Sequence, residues 1–66
     1  MTITLNGSRH EIADGTTLDQ LVGVFSLPDS GVALAMNSEV IPRSAWTTTR
    51  VPPDAQVEVV TASKGG

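Results

Sequence analysis

Residues 14–26, DGTTLDQLVGVFS, decide the fold class of this chain. Thr17 and Gln20 have the spacing of a capping box, which predicts a helix that begins at this point. The apolar residues of the segment recur at the i, i+3, i+4 and i+7 spacing of one helical stripe: Leu18, Leu21, Val22 and Phe25. Because Gly23 weakens such a helix by about 1 kcal/mol relative to alanine, we expect the helix to be stabilised by packing on a sheet.

Upstream of the helix, residues 2–12 predict a β-hairpin. Ile3 and Leu5 alternate with threonines, and Asn6-Gly7 supplies the residue types that a type I′ turn requires. His10 lies on the second strand of the hairpin. We expect its side chain to be exposed, since no acid or hydroxyl partner at a suggestive spacing marks it as a catalytic base.

Downstream of the helix, residues 32–36, VALAM, predict a buried strand. Alternation along this strand places Ala33 and Ala35 on one face and the larger apolar residues on the other. A second, short strand is predicted at residues 39–41. It ends at Pro42, because proline cannot donate a hydrogen bond to a strand ladder.

The next part of the chain, RSAWTTTR at residues 43–50, has no sustained period. We predict a helical turn and a loop here, with Trp46 packed against the body of the protein. The last strand is QVEVVT at residues 56–61, whose alternation directs Val60 to the outer face of the sheet.

The order strand, strand, helix, strand, short strand, strand predicts an α+β fold, with one helix packed across a mixed sheet of four to five strands. The β-grasp, or ubiquitin-like, arrangement has this order and places its first and last strands side by side and parallel. We therefore divide the chain into a β-grasp domain at residues 1–61 and a flexible tail, ASKGG, at residues 62–66.

Composition excludes several classes of function. The 66 residues contain no cysteine and one histidine, which leaves no basis for a disulfide, a thiolate metal site or a cysteine nucleophile. The net charge is −3 and the four basic residues are scattered, so a nucleic acid is not an expected partner. No stretch approaches the ~20 apolar residues of a membrane span, and no signal-peptide pattern is present. We expect a cytoplasmic protein without a membrane partner.

The ending Gly65-Gly66 carries the chemistry that the rest of the chain lacks. A backbone without side chains can enter a narrow channel of a partner enzyme, and the Gly66 carboxylate is ionised at neutral pH. Adenylation by a partner would convert this carboxylate into an acyl donor, and a sulfur nucleophile could then form a thiocarboxylate. The chain has no nucleophile–base pair and no phosphate loop, so we do not expect it to be an enzyme itself.

The stretch ALAMNSEVIPRSAW at residues 33–46 resembles the ThiS family of thiamin-biosynthesis sulfur carriers. NG and DGTTLDQL upstream and QVEVV with the final GG downstream support the resemblance, which spans nearly the whole chain. Two places depart from the family's pattern: Pro53-Asp54-Ala55 replaces a common Asp-Gly-Asp, and Lys64 is larger and charged where many members have small or apolar residues.

The resemblance implies a protein co-substrate that carries sulfur on Gly66. Its implied partners are a ThiF-type adenylyltransferase, the thiazole synthase ThiG and a sulfur donor system, with Gly65 passing through the partners' channels. No cofactor is expected on this chain, since ATP is used by the adenylyltransferase. Ala33, Ala35 and Val60 are predicted to form a small apolar docking patch on the outer sheet face.

Two other functions remain open at this point. A sulfur carrier of another pathway, of the molybdopterin synthase small-subunit type, would share the fold and the tail, although such proteins are usually longer and differ in their central motifs. A ubiquitin-like interaction module would make the final Gly-Gly incidental.

Overall fold

The computed structural model describes residues 1–28 and 31–61, so the predicted tail at 62–66 lies outside the described residues, as do residues 29–30 of the turn after the helix. The strands are β1 Thr2–Leu5, β2 Ser8–Glu11, β3 Val32–Met36, β4 Glu39–Ile41 and β5 Gln56–Thr61; the helix is α1 Leu18–Val24, and a 3-10 turn spans Arg43–Ala45. The strands form a five-stranded sheet in the order β2-β1-β5-β3-β4. The predicted mixed sheet with one helix is confirmed.

The first hairpin forms as predicted. β1 and β2 are antiparallel, and the turn residues Asn6 and Gly7 both have positive φ angles, of 49° and 84°. This is the combination that a type I′ turn requires, because its twist matches the twist of the flanking strands. The turn therefore sets the hairpin register, in which Ile3 pairs with His10.

His10 is half-buried, so the prediction of an exposed side chain is wrong. Its pairing with Ile3 places it on the face of the sheet that α1 covers. There the imidazole meets the Phe25 ring edge to face, with a centroid distance of 4.8 Å and an interplanar angle of 65°. The His10 ring thus packs against Phe25 at the C-terminal end of the helix.

The capping box at the start of α1 is present in both directions. The Thr17 hydroxyl accepts from the Gln20 backbone N–H at 3.2 Å, and the Gln20 side-chain oxygen accepts from the Thr17 N–H at 3.0 Å. Two of the orphan donors of the first turn are thereby satisfied. The predicted stripe faces inward, with Leu18 and Leu21 completely buried.

A Schellman motif ends α1. The Leu27 N–H donates to the Val22 carbonyl at 2.9 Å, and the Ser26 N–H donates to the Gly23 carbonyl at 3.2 Å. This motif requires a left-handed residue after the helix, and Ser26 takes that place with φ at 54°. A serine therefore occupies a position that glycine usually fills.

One apolar core joins α1, the sheet and the loop before β5. Its buried members are Ile3, Leu5, Ile12, Leu18, Leu21, Leu34, Trp46, Val51, Ala55 and Val57. Trp46 packs as predicted: its side chain is 3% exposed, and its indole N–H donates to the Ile41 carbonyl at 2.9 Å. The Arg43 guanidinium lies 5.1 Å from the centre of the indole ring, in cation–π geometry.

β5 is the central strand of the sheet. It runs parallel to β1, with Thr4 opposite Gln56 and Leu5 opposite Val57. It runs antiparallel to β3 from the pair of Met36 and Val57 to the pair of Val32 and Thr61. The predicted adjacency of the first and last strands is therefore confirmed, and the chain enters residues 62–66 from the middle of the sheet.

Candidate functional site

The predicted reacting residue, Gly66, and its neighbour Gly65 lie outside the described residues. The structure does describe the strand that leads to them. β5 is held on one side by β1 and on the other by β3, and Thr61 at its end still pairs with Val32. The candidate site therefore consists of the exit of β5 from the sheet and the surface around that exit.

The three predicted docking residues lie on the face of the sheet opposite α1, which we call the open face. Register pairs Ala33 directly with Val60 across β3 and β5, and Ala35 is the next outward residue of β3. Val60 is 57% exposed. The structure thus brings together the residues that strand alternation had placed on one face.

Val40 extends this group and was missed from the sequence. It pairs with Ala35 across β3 and β4, and its side chain is 68% exposed. The signal was present, since the two-residue turn Asn37-Ser38, with φ angles of 53° and 72°, sets the register of this hairpin. We refer to Ala33, Ala35, Val40 and Val60 as the open-face patch.

Exposed valines are concentrated on this face. Among the described residues, the large apolar side chains that remain exposed are Val24, Val40 and Val60, and the latter two belong to the open-face patch. Val24 lies on α1 with 66% of its side chain exposed. Contiguous exposed apolar surface marks sites of interaction, whereas a single exposed residue does not.

Polar residues of the open face include Glu58 of β5, which is exposed and pairs with Ala35, and residues of β1 and β2. The Thr2 hydroxyl donates a hydrogen bond to the Glu11 carboxylate across these strands. This hydrogen bond, followed by attraction to the Met1 ammonium 3.7 Å away, lowers the pKa of Glu11 below its ordinary value. The ionised form of Glu11 is therefore favoured beside the threonine.

Two asparagine side chains bond to β5, one at the first residue of the strand and one at the fourth. The Asn6 Oδ1 atom accepts from the Val59 N–H at 2.8 Å, near the exit of the strand. The Asn37 Oδ1 atom accepts from the Gln56 N–H at 2.9 Å, where the strand begins. The sequence pattern predicted Asn6 as a turn residue, and only the folded chain shows that both asparagines bond to β5.

A shallow groove of about 600 Å³ lies at the far end of the sheet from the exit of β5. It is lined by Met1, Asp14, Gly15, Arg50, Val51 and Pro53. Because β1 and β5 are parallel, Met1 lies beside the start of β5 and not beside Thr61. The groove is therefore separate from the candidate site. Within residues 1–28 and 31–61, no cluster of His, Asp or Glu side chains could hold a metal ion.

The five-stranded mixed sheet, with its parallel central pair and one covering helix, defines a β-grasp, or ubiquitin-like, protein. The sequence model of the ThiS family matches residues 3–66, which is nearly the whole chain. The chain belongs to the ThiS family. A search of curated proteins finds no significant match. In the part of the chain that the structure describes, no helix has the length and apolar character needed to cross a membrane.

Two solved structures from Geobacter metallireducens are similar to this chain. The crystal structure of a thiamine biosynthesis protein, ThiS, superposes with a TM-score of 0.89 at 26% sequence identity and covers 100% of both chains. A solution NMR structure of a thiamine biosynthesis protein superposes with a TM-score of 0.79 at 26% identity and covers 100% of this chain and 88% of that one.

Proposed function

We propose that this chain is a sulfur carrier protein of thiamin biosynthesis and that the Gly66 carboxylate is its reacting group. The observation that carries the proposal is the family match, which runs to Gly66 and so includes the Gly65-Gly66 ending. The path of β5 supports it, because this central strand leads from the core of the sheet toward the last five residues. The chain is then a protein co-substrate, and partner enzymes supply the catalytic groups.

The first step is adenylation by a ThiF-type enzyme that binds ATP. One oxygen of the Gly66 carboxylate forms a bond to the α-phosphorus, and the bond from that phosphorus to the β-phosphate oxygen breaks with release of pyrophosphate. The product is an acyl adenylate, in which AMP is a good leaving group. This chain needs no bound cofactor for the step.

The second step replaces AMP with sulfur. A sulfur nucleophile at the oxidation level of hydrosulfide attacks the Gly66 carbonyl carbon, AMP leaves with the electron pair of the C–O bond, and the S–H proton passes to solvent. Gly66 then carries a thiocarboxylate. The thiazole synthase ThiG is the proposed acceptor of this sulfur.

Intact-mass measurement tests the chemistry directly. After incubation with ATP, a ThiF-type enzyme and sulfide, the chain should gain about 16 Da, the difference between sulfur and oxygen; methionine oxidation gives nearly the same shift. Fragmentation must therefore place the added mass on Gly66 and exclude Met1 and Met36. A wild-type chain that gains neither AMP nor sulfur under these conditions would refute the proposed function.

Deletion of Gly66 provides the matched control. The truncated chain keeps residues 1–61, which contain every described strand and the helix, so its melting temperature should stay the same. It should acquire no AMP and no sulfur, because the new terminal carboxylate is one residue short of the partner's catalytic groups. Sulfur on the truncated chain would show that the Gly66 carboxylate is not required.

We also propose that the open-face patch contacts the adenylating enzyme. Val60 lies six residues before Gly66, a span of at most about 20 Å, so an enzyme that holds the carboxylate also lies close to this part of the sheet. Ala33 and Ala35 keep the neighbouring surface flat, which permits close packing by a partner. Burying valine side chains there supplies a hydrophobic contribution to binding.

Single charge substitutions with a matched control test this contact. Val40→Glu and Val60→Glu should each weaken binding about 10- to 100-fold, since a charge would be buried without a partner. Val24→Glu changes an equally exposed valine on α1 and should leave the affinity within about twofold. The dissociation constants would be measured by calorimetry with the adenylating enzyme.

Introducing a positive charge at Val60 distinguishes two reasons for weaker binding, the burial of a charge in the interface and long-range electrostatic repulsion. Val60→Lys should weaken binding as Val60→Glu does if the side chain is buried in the complex. Equal affinities for the Val24, Val40 and Val60 variants would show that the open-face patch is not the docking surface.

A further inference from the structure

Asn6 bonds to β5 where the pairing of β1 with β5 stops. The ladder between these two strands covers the pairs Thr4 with Gln56 and Leu5 with Val57. The ladder between β3 and β5 continues to Thr61. On the β1 side, the part of β5 that follows Val57 therefore extends beyond its neighbouring strand.

Two hydrogen bonds from Asn6 extend the attachment on that side. Its backbone N–H donates to the Val57 carbonyl at 2.9 Å, and its Oδ1 atom accepts from the Val59 N–H at 2.8 Å. The left-handed backbone of Asn6, with φ at 49°, ends β1 in the turn while the side chain bonds to β5. The Asn6 side chain thus takes the place of one more residue of β1 in the hydrogen bonding to β5. Because of it, the last residue of β5 that is hydrogen-bonded on the β1 side is Val59 and not Val57.

We propose that Asn6 is a positioning residue for the Gly66 carboxylate, an inference that rests on the proposed function. Gly66 lies seven positions after Val59, a span of at most about 25 Å. Without the Asn6 side chain, the last hydrogen bond on the β1 side is the one to the Val57 carbonyl. We then expect the direction in which the end of β5 leaves the sheet to vary more. A misplacement of about 1 Å at the reacting atom can slow a reaction about 100-fold, so the direction of exit affects the rate of adenylation.

Asn37 provides a matched control for Asn6. Both residues have positive φ angles in hairpin turns, and both accept one hydrogen bond from a backbone N–H of β5. They differ in place, because Asn37 bonds to Gln56 at the start of the strand and Asn6 bonds near its exit. A purely structural role predicts equal effects from the two side chains, whereas a positioning role predicts an effect on the reaction from Asn6 alone.

The experiment compares Asn6→Gly, Asn6→Asp and Asn37→Gly in the full chain. Glycine keeps the left-handed turn and removes the acceptor, and aspartate keeps an acceptor oxygen. We expect Asn6→Gly to lower kcat for adenylation about two- to tenfold, the equivalent of one net hydrogen bond. KM should stay the same, because the open-face patch is unaltered. Asn6→Asp should restore kcat, and Asn37→Gly should leave both constants at their wild-type values.

Amide hydrogen exchange gives a readout that does not depend on the enzyme. The Val59 amide should exchange faster in Asn6→Gly and return to its wild-type rate in Asn6→Asp. In Asn37→Gly the faster amide should be that of Gln56. All variants would be compared at temperatures where they are fully folded.

The outcomes separate this inference from the proposed function. A wild-type chain that is not adenylated refutes the proposed function and the role of Asn6 with it. A reactive wild-type chain with equal kcat losses in Asn6→Gly and Asn37→Gly refutes only the positioning role. An unchanged Val59 exchange rate in Asn6→Gly, or a failure of Asn6→Asp to restore kcat, would also refute it.

Discussion

Gly23→Ala should stabilise the protein, and the structure sets the size of the effect. A Cβ atom at Gly23 would have no neighbour within 4 Å, so the substitution neither fills a cavity nor causes a clash. What remains is the conformational freedom that glycine loses on entering a helix, about 0.5–1 kcal/mol relative to alanine. For a domain of this size, each kcal/mol shifts the melting temperature by about 4–8 °C. We expect a rise of about 2–8 °C.

Gly7→Ala is the matched comparison, because it makes the same chemical change in equally open space. A Cβ at Gly7 would also have no neighbour within 4 Å, but the φ angle there is +84°. Alanine in the left-handed region costs about 1–2 kcal/mol. This variant should therefore melt below the wild-type protein.

Thermal melting followed by circular dichroism, supported by urea unfolding, measures both variants. The two changes in unfolding free energy should have opposite signs with similar m-values, since neither alters the buried surface. Both folded variants should still accept sulfur at Gly66. A decrease in stability for Gly23→Ala, or equal changes in the two variants, would show that backbone conformation is not what separates these glycines.

Three further outcomes follow from local geometry. Ser26→Gly should raise the free energy of unfolding by about 0.5–1 kcal/mol in urea titrations, because φ at 54° suits glycine better than serine. Trp46→Ala should lower it by about 3–5 kcal/mol, whereas Trp46→Phe should cost about 1–3 kcal/mol for the unpaired Ile41 carbonyl; equal losses would contradict this. The Glu11 pKa is lowered by the Thr2 hydrogen bond, so the stability that Glu11 contributes is present above its unfolded-state pKa and is lost as pH falls through its folded-state pKa. Thr2→Val should raise that pKa in an NMR titration, and an unchanged value would rule out the hydrogen bond as the main cause.

Much of the fold could be predicted from local patterns. The capping box between Thr17 and Gln20 spans four residues, and the Asn6-Gly7 turn depends on the φ preferences of two adjacent residues. Such signals are contained within a few positions of the chain, so they require no knowledge of distant partners. The helix and the first hairpin were therefore predicted in the right places.

The errors concern the face of the sheet on which a side chain lies, which the register of the strands decides. His10 was predicted to be exposed, but the register with Ile3 turns it toward α1 and Phe25. Val40 was missed as a member of the open-face patch because its position follows from the register of β3 with β4. A one-residue difference in register moves a side chain to the other face of a sheet.

The sequence by itself determined the elements and their order, because helix caps and tight turns depend on neighbouring residues. Only the tertiary structure decided how the exit of β5 is held. The hydrogen bond from the Val59 N–H to Asn6 joins residues 53 positions apart. It exists because the parallel pairing of β1 with β5 brings Leu5, the last residue of β1, beside Val57, two residues before Val59.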